Sequence, residues 1–266
     1  MSGPAKSHGR KSISASLKPQ ELMSANLKLA GVWTAQVITL FPQCFPGILG
    51  ESLTGKALKD GKWALETTDL RRFGEGKHKN VDDTPAGGGA GMVLRADILG
   101  AAIDDARRSA PKDRPMVYLS PRGARFDQAM ARDWAGTNGI TLLCGRFEGV
   151  DQRVLDHYQI AEVSLGDFVM TGGEIAAQAM LDATVRLLPD VLGNATSLED
   201  ESHSNGLLEH PQYTRPALWN GLSIPEVLQS GHHGNIEKWR REMAKQLTQS
   251  RRPDLYEKQS KKIKDP

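Results

Sequence analysis

Three short apolar runs in the middle of the chain each end in a glycine-containing loop. Met116–Leu119 leads into Ser120-Pro121-Arg122-Gly123, Ile140–Cys144 into Gly145-Arg146-Phe147-Glu148-Gly149, and Ile160–Val163 into the longer loop Leu165–Gly173. Continuous apolar runs of this length read as strands buried on both faces. The stretches between and after them, about 126–135 and 174–188, read as helices, the second stopped by Pro189. Strands alternating with helices predict a parallel α/β sheet. Ligands of such sheets bind outside the carboxyl ends of the strands, and glycines let main-chain N–H and C=O groups approach a flat ring closely. Each loop alone could be an ordinary strand-to-helix turn; three in succession point to one shared ligand.

The same alternation extends upstream. Residues 36–41 read as a buried strand, 46–59 as a helix and 63–70 as a strand. Residues 76–92 form a polar, glycine-rich loop, and 96–108 a helix with Ile98, Leu99, Ala102 and Ile103 on one face. Residues 1–30 are poor in large apolar side chains and read as a disordered extension. Polar residues 193–206 interrupt the alternation and read as a mobile linker. Beyond them Pro211, Pro216 and Pro225 precede a helix expected from Ile236 to about Thr248, with Trp239, Met243 and Leu247 on one face and Lys/Arg on the other. The expected organisation is an extension over 1–32, a ligand-binding α/β domain over 33–192, a linker over 193–206 and a small helical domain over 207–266.

Charge is unevenly placed. Against an overall net charge of +2, residues 1–28 carry +4, residues 237–266 carry +5, and the middle carries −7. Basic ends on an acidic body suit contact with nucleic acid, although solvated tails would give the same count. The two cysteines, Cys44 and Cys144, lie far apart without a Cys-x-x-Cys partner, so neither a disulfide framework nor a zinc site is expected, and a reducing cytoplasm fits. No apolar run is long enough to span a membrane and the N-terminus lacks the apolar segment of a secretory signal.

Gly50-Glu51-Ser52-Leu53-Thr54-Gly55-Lys56 has the spacing of a phosphate-binding loop, but Ala57 stands where Ser or Thr would hold magnesium, and Pro42–Leu49 separate it from its strand. An NTPase reading is therefore rejected; Gly50 and Gly55 are expected at helix ends or close packing. No G-x-G-x-x-G follows a strand, so a dinucleotide fingerprint is missing. His232-His233 matches no ligand spacing.

Tyr118-Leu119-Ser120-Pro121, Cys144-Gly145-Arg146-Phe147-Glu148-Gly149-Val150-Asp151 and Leu165-Gly166-Asp167-Phe168-Val169-Met170-Thr171-Gly172-Gly173-Glu174 closely resemble motifs of the bacterial tRNA (guanine-N1)-methyltransferase family, TrmD. So do Val81–Met92 and Gly206–Pro216. The resemblance runs from about Val37 nearly to the C-terminus. It implies a SPOUT-type α/β domain with a C-terminal trefoil knot, which periodicity could not reveal because knots are exceptions to connection rules. It also implies a homodimer whose active site is shared between chains, S-adenosylmethionine as methyl donor, and tRNA as substrate, methylated on the guanine beside the anticodon. By position the donor contacts would be Tyr118, Leu119, Ser120, Gly145, Phe147, Glu148, Leu165, Gly166, Asp167, Phe168, Val169, Met170, Gly172 and Gly173. A magnesium requirement is implied without a site for the ion.

Methylating guanine N1 requires removal of its proton, which a carboxylate within hydrogen-bond reach can accept. Charge developing toward O6 calls for a nearby cation or N–H donor. Counting back from Gly206-Leu207-Leu208, the family's linker acid, usually Asp, falls on Glu201 here, with Asp200 as the neighbouring alternative. The family's arginine maps to Arg186, which could equally serve as a helix-end cation. Glu209, Arg215 and Asp82 are further candidates for guanine or tRNA contact. A non-catalytic RNA-binding protein with a degenerate site is the alternative of a different class; the intact glycine loops, Arg186 and the acid at the linker position argue against it.

Overall fold

The computed structural model describes residues 31–192, 201–203 and 206–264. Asp200, most of the expected linker and nearly all of the N-terminal extension lie outside the described residues.

Five parallel strands form the central sheet. They are β1 (Trp33–Thr39), β2 (Trp63–Asp69), β5 (Met116–Arg125), β6 (Gly139–Cys144) and β7 (Ala161–Ser164), in the order β2-β1-β6-β5-β7. β6 is inserted between β1 and β5, so its carboxyl end lies between theirs. Short pairs β3 (Asp82–Asp83) with β4 (Val93–Leu94), and β8 (Leu218–Trp219) with β9 (Leu222–Ser223), stand apart from this sheet.

Helices cover both faces, as a parallel sheet requires. Alternate strand residues point to opposite sides, and the core divides accordingly. Val37, Leu119 and Leu142 face one cluster, which receives Ala177, Met180 and Leu181 of α5 (Glu174–Val185) and Trp134 of α3 (Gln128–Ala135). Ile38, Tyr118 and Leu143 face the other, which receives Leu99, Ala102 and Ile103 of α2 (Ala96–Ser109) and Val154 and Leu155 of α4 (Gln152–Tyr158). The expected apolar face of residues 96–108 is thus the buried face of α2. α4 is absent from the sequence reading: in Gln-Arg-Val-Leu-Asp-His-Tyr only two apolar residues are fully buried, too few to mark a period.

The region 46–59 divides into a 3₁₀ turn, Gly47–Gly50, and α1, Ser52–Lys59. A Cβ at Gly55 would lie 2.0 Å from the Gly50 carbonyl oxygen. The pair of glycines that imitates a phosphate loop is a close-packing device between the turn and the helix. β5 also differs from expectation. It leaves its register with β7 after Leu119 and rejoins it at Ala124, so that both residues oppose Val163 and Ser120–Gly123 loop outward between them. Gly123 permits this because a Cβ there would sit 2.3 Å from the Val163 nitrogen.

Beyond residue 206, α6 (Glu226–Gln229), α7 (His233–Arg251) and α8 (Pro253–Lys264) follow the β8–β9 hairpin. α7 runs longer than the expected 236–248, with Trp239, Met243 and Leu247 half-buried. His210 and Tyr213 set their rings 6.3 and 6.1 Å from that of Trp239, and Leu208 N–H donates to Thr248 Oγ1 at 2.9 Å, fixing the segment after the linker to α7. α8 was not expected from the sequence; Pro253 occupies its first helical position, where its missing N–H costs nothing. Among the described residues no helix is long and apolar enough to cross a membrane.

Candidate functional site

The three glycine loops converge. Together they line a cavity of about 310 Å³ at the carboxyl ends of β5, β6 and β7, a size at the small end of the range for ligand pockets. Of the expected donor contacts, Tyr118, Leu119, Ser120, Gly145, Phe147, Glu148, Leu165, Phe168, Val169, Met170, Gly172 and Gly173 all line it. Gly166 and Asp167 do not: Gly166 supports the ring of Phe168, and Asp167 is exposed beside the cavity.

Four glycines line the cavity, Gly145, Gly149, Gly172 and Gly173, and they let its walls pack closely. A Cβ at Gly145 would lie 2.7 Å from the Tyr118 ring, and one at Gly173 would lie 2.9 Å from Cys144 Cα. Gly173 N–H donates to the Gly145 carbonyl at 3.1 Å, tying the second loop to the third. Tyr118 is buried, and that burial pushes its phenol above the ordinary range, so it stays neutral. Phe147 is half-exposed and holds φ of 59°, a left-handed conformation unusual for a bulky residue and concentrated at functional sites.

An ion pair to which the sequence assigned no role runs from the cavity wall into the core. Arg146 Nη2 lies 2.9 Å from Glu174 Oε2, and Glu174 is 3 % exposed. Thr39 Oγ1 donates to the other Glu174 oxygen at 2.7 Å, Arg146 Nη1 donates to the Thr171 carbonyl at 3.2 Å, and the guanidinium lies 4.4 Å from the Phe41 ring centroid. The pair joins the end of β1, the β6 loop and the start of α5. The readable signal was a Glu in the first turn of an otherwise apolar helix.

Arg186 and Glu201 meet directly. Both guanidinium nitrogens donate to the carboxylate, Nη1 to Oε2 and Nη2 to Oε1, each at 2.5 Å. The Arg186 hydrogen bonds hold the Glu201 carboxyl below the usual carboxylate range, against the opposing effect of burial, and Arg186 is raised in turn. Neither residue lines the cavity of the three glycine loops. Glu201 instead lines a second cavity of about 340 Å³ with Glu209, Arg240, Arg241 and Lys245. Glu209 accepts a hydrogen bond from Gln212. Asp82 is half-buried in β3, opposite Leu94, and Arg215 is exposed; neither lines these cavities. The loop containing Asp82 nevertheless reaches the donor site, because Glu148 N–H donates to the Met92 carbonyl at 2.9 Å. Among the described residues no group of three or more His, Cys, Asp or Glu side chains could hold a metal ion.

Glycine loops at the ends of parallel strands thus frame one cavity, and a separate acid–arginine pair lies outside it. Residues 33–258 match the model of the family described as tRNA (Guanine-1)-methyltransferase TrmD. The chain belongs to this family. A Ruegeria protein named tRNA (guanine-N(1)-)-methyltransferase is 68 % identical over 234 residues, covering 88 % of this chain and 96 % of its own length. A protein of the same name from Ruegeria pomeroyi is 67 % identical over 236 residues, covering 89 % and 97 %. One from Bartonella henselae is 58 % identical over 222 residues, covering 84 % and 94 %.

Proposed function

We propose that this protein is a tRNA (guanine-N1)-methyltransferase that takes its methyl group from S-adenosylmethionine and acts on the guanine 3′ of the anticodon. The single observation carrying this reading is the convergence of three glycine loops on one cavity, in a chain of this family. The cavity suits the donor: Leu119, Val163, Leu165 and Ala176 supply apolar wall for an adenine ring, while the glycine loops bring main-chain groups within reach of its nitrogens. The bound donor would supply an electrophilic methyl on a sulfonium. Methyl transfer to unmodified tRNA, with the product nucleoside identified, tests the reading; transfer to any atom other than guanine N1 overturns it.

In this proposal Glu201 accepts the N1 proton, and Arg186 steadies the negative charge that grows toward O6. The Arg186 fork that now holds Glu201 is the one that would receive O6. Entry of the guanine exchanges one oxygen partner for another, and the released carboxylate becomes a better base. Asp200 remains the alternative acceptor. The domain assignment proposed is a donor-binding domain over 33–192, including a trefoil knot, with 207–266 as a helical tRNA-binding domain. Any magnesium requirement has no proposed site.

The active site is proposed to form between two copies of the chain. Within one chain Arg186 and Glu201 line no part of the donor cavity, so the acid must be brought to it. A surface for self-association is at hand. Val169 is 83 % exposed, Ile48 68 % and Ile175 67 %. Ile48 and Ile175 are neighbours, since Gly47 abuts Gln178, one turn along α5 from Ile175. Ile175→Asp should yield a monomer in light scattering that retains a folded melting profile and has lost methyl transfer; a fully active monomer would refute the shared site.

A further inference from the structure

A larger cleft lies elsewhere. It measures about 1070 Å³, against 310 Å³ for the donor cavity, and runs between the start of α3 and the face of α8. The two are adjacent, for Leu165 lines both.

Its charges are unequal in availability. Asp127 accepts the Met130 N–H at 2.9 Å as the cap of α3, and Asp254 pairs with Arg252 at 2.6 Å, so both carboxylates are engaged within the fold. Arg125, Arg132 and Lys258 also line the cleft, are exposed, and have no carboxylate partner among the described residues. With no carboxylate paired to these three among the described residues, the concavity is net positive and favours an anion. Phe126, Leu165 and Leu255 add apolar lining beside these cations. Cations beside apolar lining match a nucleotide strand, whose phosphates take the charges and whose sugars and bases lie on the apolar side chains.

We propose that this cleft binds the RNA phosphodiester backbone, with Arg125, Arg132 and Lys258 each neutralising a phosphate next to the entrance of the donor cavity. The proposal rests on the methyltransferase reading for the identity of the RNA. It extends that reading by placing RNA backbone against the α/β body as well as the basic α7. Binding here would fix the distance between the tRNA backbone and the methyl donor.

The test is the triple variant Arg125→Gln, Arg132→Gln, Lys258→Gln, with Lys56→Gln on the exposed face of α1 as control. Binding of unmodified tRNA is measured across a salt series, together with S-adenosylmethionine affinity, melting and oligomeric state. Each phosphate neutralised contributes about 0.7–0.9 to the slope of log K against log salt. The triple variant should therefore lose roughly 2–2.7 from that slope and raise KM for tRNA, and leave donor affinity and melting unchanged. If it fails to fold, Lys258→Gln alone should reduce the slope by about 0.7–0.9. An unchanged slope overturns the proposal, and a variant that dissociates into monomers with an unchanged slope gives the cleft to a second copy of the chain. These results are separable from the methyltransferase reading: wild-type enzyme that methylates guanine N1 alongside an unchanged slope sinks only the cleft, whereas a lost slope without any methyl transfer sinks only the activity.

Discussion

Glu201→Gln should lower turnover by roughly a hundred- to ten-thousand-fold, the usual worth of a general base. Glutamine keeps the size of the side chain and can still accept a hydrogen bond from Arg186, but it cannot take a proton. S-adenosylmethionine affinity should stay within about twofold, because Glu201 lines no part of the donor cavity. Asp200→Asn is the comparison: if it is the inactive variant and Glu201→Gln is active, the proton goes to Asp200. The sign of the pH dependence follows from the Arg186 hydrogen bonds, which lower the Glu201 carboxyl in the folded state. The pair contributes stability above the unfolded value of 4.5 and loses it as pH falls through the lower folded one. Wild-type melting should therefore show no transition from this pair at neutral pH, and a fall specific to it only in acid, missing in Glu201→Gln.

The second large effect is expected at Glu174. Its carboxylate is buried with Arg146, and removing one member of a buried ion pair leaves an uncompensated charge, typically at a cost of about 3–5 kcal/mol. Glu174→Gln keeps the Thr39 contact yet leaves the Arg146 guanidinium, a quarter exposed, without its counterion. A loss of about 3 kcal/mol corresponds to roughly 6–12 °C in melting temperature for a domain of this size. Donor affinity should fall with it, since Arg146 also holds the Thr171 carbonyl of the third loop. Melting within about a degree of wild type would mean that the pair does not hold the loops together.

The elements that were readable from sequence are those whose apolar period is unbroken. β6 is buried at every position and α2 buries one complete face, so both were legible. α4 and α8 were not, because α4 buries two residues only and α8 is mostly polar. The convergence of the three loops could be inferred because it follows from parallel topology. The pairing of Arg186 with Glu201 could not be read from spacing, since fifteen residues of chain separate them and their roles came from family resemblance. Arg146–Glu174 was invisible for a different reason: an arginine in a glycine loop and a glutamate at a helix start each have a sufficient local explanation, and only the fold brings them within 2.9 Å.

Four glycines line the proposed donor cavity, and this limits how the site can change. A pocket that recognises its ligand through side chains can be retuned by exchanging them. One framed by Gly145 and Gly173 has no room for exchange, because any added carbon meets Tyr118 or the backbone at Cys144 and the loops themselves would have to shift. Single substitutions at these positions should abolish donor binding far more readily than they alter its preference. A compound that fills the same space and bonds to the same main chain would leave the protein few routes of escape that preserve its own activity.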